Sequence, residues 1–248
     1  MFFFRKKKKR AANQNKFSKE NKSPLAIFDV DGTIFRKNLH FELINQLVLM
    51  GVFPEEVRHI LVKLYSRWLE HEGTYQEYRD ALISLYNKNI RGVSAETVKV
   101  ASKKMVAFHK KRTYIFAERL IKYLEEKGYH IIAISGSPQE AVLEYNRQHL
   151  HFNEVFGTVY EIKNGRYTGK EKEAPVLDKA RFLQEFTRKH GFSLKNSYGI
   201  GDTQNDAGLL KLVQNPIAFN PDAELKSIAE VKGWKIKVER KDVVYDIV

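Results

Sequence analysis

Leu25-Ala26-Ile27-Phe28-Asp29-Val30-Asp31-Gly32-Thr33 sets an unbroken apolar run directly against two carboxylates one residue apart. A short apolar run closed by glycine reads as a buried strand over residues 24–30, with Gly32 permitting a sharp departure from it. Far along the chain a second apolar run ends in Gly201-Asp202-Thr203-Gln204-Asn205-Asp206. Acidic groups gathered at two strand ends repel one another and need a cation between them. The pairing points to a metal site at one edge of a sheet, with magnesium as the hard cation that oxygen ligands take.

Between these motifs the hydrophobic period changes. Leu43, Leu47 and Met50 share one helical stripe and Val57, Leu61, Leu64 and Trp68 a second. Tyr78, Leu82 and Leu85 make a third, and Val98, Met105 and Phe108 a fourth. Gly51, Pro54, Gly73 and Gly92 punctuate them, so residues 38–112 read as an inserted all-α helical-bundle cap with no strand. From residue 113 helix and strand alternate. A helix closes at Gly128, a strand covers 129–134, a helix starts near Pro138, a strand covers 155–160, and Asn164-Gly165 marks a hairpin turn. The helix Lys179–His190, a strand over 197–200, a helix over 206–213, a strand over 216–219, the helix Ala223–Lys232 and a strand over 235–238 follow. Such alternation argues an α/β fold, a Rossmann-like parallel sheet core built from residues 24–37 and 113–248.

At 248 residues and 43% hydrophobic, the chain can bury one large core that carries an insertion. Zero cysteines exclude disulfides, thiolate metal sites and cysteine nucleophiles, and fit a cytoplasmic protein. The richest apolar stretch, residues 47–53, is too short to span a membrane, and the first charged residues lack the apolar segment of a secretory leader. Of the formal charge of +13, residues 1–22 hold nine Lys/Arg against one Glu, which leaves +5 for the rest. Residues 1–23 thus read as a basic disordered tail, and no specific nucleic acid is expected as a partner. A solubilising tail is the plainer reading. The sharper one is weak contact with an anionic membrane at its inner face, with the Phe2-Phe3-Phe4 triplet as an apolar toe.

Open parallel sheets hold ligands beyond the carboxyl ends of their strands, and three motifs fall there. Asp29 can attack phosphorus and form an acyl-phosphate. Asp29, Asp202 and the backbone carbonyl of Asp31 are candidate magnesium ligands. Asp31 shares a face with Asp29 and is placed to protonate the leaving oxygen, then to deprotonate water. Thr33 and Ser135 offer hydroxyls, and the Gly136 and Ser137 amides open a helix N-terminus that favours an anion. A fixed cation for the phosphate is preferred at Lys179, which leaves room for one helix, a loop and one strand before Asp202. Lys170 and Lys172 are its rivals in a more polar stretch.

Asp-x-Asp-Gly-Thr, a helical insertion, Ser-Gly-Ser, a lone Lys and Gly-Asp-x-x-Asn-Asp, in that order, resemble the haloacid dehalogenase superfamily of phosphohydrolases. The all-helical insertion looks like that of its phosphoserine-phosphatase-like branch, and residues 201–222 resemble the subfamily IB hydrolases within it. The resemblance spans residues 24–238. It implies Asp29 as nucleophile, Asp31 as acid and base, Ser135 and Lys179 as phosphate ligands, and Asp29, the Asp31 carbonyl and Asp202 as magnesium ligands. It further implies Asp206 as a support orienting the metal site, with Asn205 helping to hold phosphate. In phosphoserine phosphatases an acidic residue just after the first motif binds the amine and a cap arginine binds the carboxylate. The acidic position falls on Asn38 here; Arg79 lies near the arginine position, which one helix phase gives to Leu85. Both departures weigh against phosphoserine.

The expected protein is a magnesium-dependent phosphomonoesterase that cleaves a small phosphorylated substrate through an aspartyl-phosphate. Its alternatives are a phospholipid head-group phosphatase and a phosphotransferase. The rival from another class is a non-catalytic polyanion-binding protein that works through the basic tail. His40 reads either as facing the cleft between cap and core or as a residue of a helix start. Trp68, Tyr75 and Tyr78 have core-like helical spacing, so packing is expected of them rather than a substrate cage.

Overall fold

The computed structural model describes residues 23–247, so the basic tail lies, but for Ser23, outside the described residues. β1 (Leu25–Phe28) is buried along its whole length because it runs through the middle of the sheet. Its side chains alternate: Ala26 and Phe28 enter one apolar cluster, Leu25 and Ile27 the other. β2 (His130–Pro138) pairs with it in parallel and alternates likewise, Ile131 and Ala133 to the first side, Ile132 and Ile134 to the second.

β3 (Glu154–Lys163), β4 (Arg166–Glu173), β5 (Tyr198–Gly201), β6 (Asn215–Phe219), β7 (Lys235–Arg240) and β8 (Val243–Ile247) complete a sheet ordered β4-β3-β2-β1-β5-β6-β7-β8. Neighbours from β3 across to β7 run parallel, as expected. The edges do not: β4 and β8 are antiparallel, and the sheet is therefore mixed. β4 turns back on β3 at Asn164 and Gly165, whose φ values of 50° and 73° are those a tight hairpin demands. β8 escaped the sequence reading because it is a largely exposed edge strand whose apolar run, Val243-Val244-Tyr245, is only three residues long. β2 joins one side of β1 and β5 the other, so the winding reverses at β1 and opens a crevice beyond the carboxyl ends of these three strands.

Four helices intervene between β1 and the rest: α1 (Leu39–Leu49), α2 (Glu55–Leu69), α3 (Tyr75–Ile90) and α4 (Ala95–His109). Each start has a local cause. Asn38 accepts from the Phe41 N–H, Thr74 and Glu77 form a reciprocal capping box, and Ser94 accepts from Thr97; Pro54 opens α2 without a side-chain cap. These helices do not enclose a core of their own. Leu43, Tyr86 and Met105 belong to the same cluster as Ala26 and Phe28, and the Tyr86 ring meets Tyr160 of β3 at 5.1 Å. The chain enters and leaves the insertion side by side, Arg36 N–H donating to Arg112 O (2.9 Å) and Tyr114 N–H to Ile34 O (3.0 Å). An ion pair from Arg36 to Glu239 ties this crossing to β7.

α5 (Ile115–Glu126), α6 (Gln139–Tyr145), α7 (Lys179–His190), α8 (Ala207–Leu210) and α9 (Ala223–Lys232) cover the sheet. Two expectations shift here. β2 continues through Ser135, Gly136 and Ser137, and α6 begins only at Gln139. The Gly136 and Ser137 amides are therefore not a helix N-terminus; the Ser137 N–H donates to Ser135 Oγ at 2.9 Å. The helix expected over 206–213 shrinks to a 3-10 turn, Gln204–Asp206, followed by four-residue α8. The Asp206 side chain accepts from the Asp202 and Thr203 amides and holds the 3-10 turn at the start, and at the other end the Leu212 N–H turns back to Leu209 O before β6 opens at Asn215. Among the described residues no helix is long and apolar enough to cross a membrane.

Candidate active site

Strand geometry places the first two carboxylates. Asp29 follows β1 and donates its N–H to Ile200 O of β5 at 2.9 Å, which fixes it at the crevice. One of its oxygens, Oδ1, accepts from Lys179 Nζ at 2.6 Å; the other, Oδ2, is buried without a hydrogen-bond partner. Asp31 Oδ1 accepts from the Leu39 N–H at 2.6 Å, and its Oδ2 from the hydroxyls of Ser135 and Ser137, both at 2.7 Å. Gly32 lets the chain turn away at φ 88°, and a Cβ there would stand 2.0 Å from Asp202 Oδ2. Only glycine admits that approach.

The second acidic motif arrives from β5. Asp202 Oδ1 lies 3.4 Å from the Thr33 hydroxyl, which donates to it. Asp206 is fully engaged: Oδ1 accepts from Lys179 Nζ at 2.6 Å, and Oδ2 from the Asp202 and Thr203 N–H groups at 3.1 Å. A Cβ on Gly201 would lie 2.4 Å from Asp206 Cβ, so this second glycine keeps the turn closed. Lys179 itself is buried at the start of α7, its ammonium between Asp29 and Asp206. Lys170 and Lys172 are exposed on β4, away from the cluster.

These charges sit in a low-dielectric setting, and that governs their protonation. Burial, helped by Asp206 and Asp31 and opposed by Lys179, pushes the Asp29 carboxyl up to about 7. Burial and the charges of Asp29 and Asp206 hold Asp202 well above the usual carboxylate range. Burial also raises Asp31, against the hydrogen bonds from Leu39, Ser137 and Ser135. For Lys179 burial acts downward, but Asp206 and Asp29 outweigh it and keep the ammonium above its ordinary value.

Asp29, Asp202 and Asp206 each offer an oxygen, all within 4.8 Å of one another. Lys179 and the backbone amides already occupy Asp206, so the open donors are the unpartnered Asp29 Oδ2 and Asp202. An all-oxygen set of mutually repelling carboxylates, with Asp29 and Asp206 buried and Asp202 half-buried, fits magnesium.

A cavity of about 1060 Å³ opens above this floor. Asp31, Gly32 and Asp202 line it from the core, and Asn38, Arg79 and Asn205 also face it. Thr33, Ser135, Gly136 and Lys179 do not line it; the first, second and fourth are buried against the carboxylates, and Gly136 accepts from Thr158 through its carbonyl. α3 turns Arg79 toward the cavity, with its Nε buried and unpartnered. Leu85 packs against the apolar core.

His40 does not reach the cavity. It is 3% exposed, its ring meets Tyr86 edge-on at 4.5 Å, and its N–H donates to Ser137 Oγ. Burial pulls its pKa down from 6.5 to about 3, so below pH 6.5 the unfolded chain binds a proton that the folded one refuses. Stability from this residue is complete above pH 6.5 and falls by roughly 1.4 kcal/mol for each pH unit below it. Urea midpoints between pH 7 and 4 are expected to drop less steeply for His40→Phe than for the parent; parallel slopes would remove the assignment.

Sequence reasoning missed two groups. The Ser137 hydroxyl, a direct partner of Asp31, belongs with the site. Tyr65, Trp68, Tyr75 and Tyr78 line the cavity; Tyr78 keeps the packing role expected of it at 3% exposure, whereas Tyr75 stays 39% exposed. The available signal was their phase: Tyr75, Tyr78 and Arg79 lie at i, i+3 and i+4, one face of α3.

Residues 26–211 match the family model of haloacid dehalogenase-like hydrolases. The chain is 27% identical over 216 residues to a phosphoserine phosphatase of Archaeoglobus fulgidus, covering 86% of this chain and 57% of that protein. It is 25% identical over 229 residues to a histidinol-phosphatase of Neisseria meningitidis serogroup C, covering 86% and 97%. It thus spans little more than half of the first and nearly all of the second. A protein of unknown function from Bordetella pertussis Tohama I shares the fold, with a TM-score of 0.69 at 22% identity over 86% of this chain and 97% of the other.

Proposed function

Because the chain belongs to the haloacid dehalogenase-like hydrolase family, we propose that it is a magnesium-dependent phosphomonoesterase working through an aspartyl-phosphate on Asp29. The observation that carries this reading is Asp29 itself: one oxygen held by a buried ammonium, the other buried, bare and facing two further carboxylates. One carboxylate oxygen of Asp29 attacks phosphorus while the other stays with the cation, and the bond to the leaving alkoxide breaks as Asp31 gives that oxygen a proton. Asp31 then takes a proton from water, whose oxygen displaces Asp29 from phosphorus. The raised pKa of Asp31 suits the first step, and its three hydrogen bonds keep the carboxyl from swinging between the two. Lys179, Ser135, Thr33, Gly136 and Asn205 are the groups proposed for the phosphoryl oxygens on the family resemblance; of these, Asn205 lines the cavity. Asp206 positions Lys179 and the loop that carries Asp202.

Asp29, Asp202 and the Asp31 carbonyl would hold magnesium, which when bound supplies the positive charge that lets a carboxylate approach a phosphate dianion. The names of the relatives, phosphoserine phosphatase and histidinol-phosphatase, support a small phosphorylated metabolite as substrate. Asn38 and Arg79, which face the cavity, are the side chains proposed to read it. A cysteine-free chain with such a substrate suits the cytoplasm.

The test is turnover of p-nitrophenyl phosphate with and without magnesium, by the full chain and by a chain lacking residues 1–22. Both are expected to be active with the metal; salt-sensitive polyanion binding without turnover would favour the binding-protein rival instead. Asp31→Asn is expected to lower kcat by about 10²–10⁴-fold while magnesium binding persists in calorimetry.

A further inference from the structure

The roof of the cavity is built from rings. Tyr65 and Trp68 of α2 and Tyr75 and Tyr78 of α3 make a closed circuit of contacts: Tyr65–Trp68 at 5.3 Å, Trp68–Tyr75 at 5.1 Å, Tyr75–Tyr78 at 5.8 Å and Tyr65–Tyr78 at 5.3 Å. Tyr78 is buried at 3% exposure, whereas Tyr65 and Tyr75 keep 41% and 39% of their surface open. The circuit therefore packs through Tyr78, and Tyr65 and Tyr75, which line the cavity, keep part of their surface open. It also stands near the chemistry. After burial, the charges of Asp202, Asp31 and Asp29 are the next causes that push the Tyr75 phenol above its ordinary value.

Four aromatic side chains lining a cavity above a phosphate site suit one kind of leaving group. A planar ring stacks on a tyrosine–tryptophan wall or meets it edge-on, and gains more there than a saturated group of similar size. The volume of about 1060 Å³ also exceeds what a three-carbon phosphate ester needs. From this wall we infer that the protein prefers phosphomonoesters whose alcohol carries a planar aromatic or heteroaromatic ring, held in the cavity against the rings of α2 and α3. The inference rests on the phosphomonoesterase reading and narrows its substrate class.

The deciding comparison is kcat/KM for 2-phenylethyl phosphate, 2-cyclohexylethyl phosphate and ethyl phosphate, whose simple primary alcohols keep leaving-group differences small. The flat ring is expected to exceed the puckered one by at least fivefold and ethyl phosphate by more. Trp68→Leu and Tyr75→Leu should collapse both ratios toward one, mainly through KM for the phenyl ester. Equal rates for the phenyl and cyclohexyl esters, or ratios that survive both substitutions, overturn the inference while p-nitrophenyl phosphate turnover leaves the function standing. If no ester is turned over, the phosphomonoesterase reading fails on its own. Binding of 2-phenylethyl phosphonate then decides, read by Trp68 fluorescence in a Trp234→Phe chain: quenching supports the ring site, and its absence removes it.

Discussion

Asp29→Asn is expected to lower kcat by on the order of 10⁴-fold or more while leaving the fold at least as stable as the parent. The two halves of this result have separate causes. An amide oxygen cannot form the acyl-phosphate, so the covalent route closes. Stability holds because Asp29 is buried, its carboxyl is pushed up to about 7, and its neighbours Asp206 and Asp31 add to the cost of ionising it. A neutral side chain of the same shape removes that repulsion, and Lys179 retains Asp206 as a partner. Turnover of an aryl phosphate, thermal unfolding and capture of a hydroxylamine-sensitive phosphoryl group measure the three parts. Turnover close to the parent's would refute the nucleophile, and a loss accompanied by unfolding would refute the electrostatic account.

Lys179→Met should do the reverse to the fold. The ammonium is 2% exposed and is the direct partner of both Asp29 and Asp206. Its removal leaves carboxylates buried without their counter-charge, a change that typically costs about 3–5 kcal/mol. Urea unfolding is expected to report that loss at neutral pH, together with absent turnover. Added magnesium should recover part of the lost stability, since a cation that binds only the folded cluster shifts the equilibrium by mass action. A variant as stable as the parent, or one indifferent to magnesium, would show that Lys179 is not the keystone of this cluster.

Much of the architecture was readable because it depends on local periods. The buried run of residues 25–28, the all-helical character of residues 39–109 and the later alternation of helix and strand each follow from spacing in the chain. The edge strands were harder. β4 was signalled by its turn residues, Asn164 and Gly165, but β8 is a largely exposed strand whose pairing partner supplies its reason to exist. The short α8 shows the same limit. An apolar pattern spoke for a longer helix, but the chain tightens into a turn at Leu209–Leu212 and enters β6 at Asn215, where pairing with β5 takes over.

The amino-acid order alone gives the expectation that Asp29 and Asp31 share a face, because side chains of extended backbone repeat every two residues, although β1 itself ends at Phe28. It settles that Tyr75, Tyr78 and Arg79 share one, because a helix turns every 3.6. Neither period says which way a face looks. Long-range packing decided that: it turned His40 into the core against Tyr86, swung the α2 and α3 rings over the cavity, and set the Lys179 ammonium between two carboxylates from distant turns. Rotation of a helix about its own axis leaves every local hydrogen bond intact, so only burial and charge contributed by the rest of the molecule can choose among the orientations.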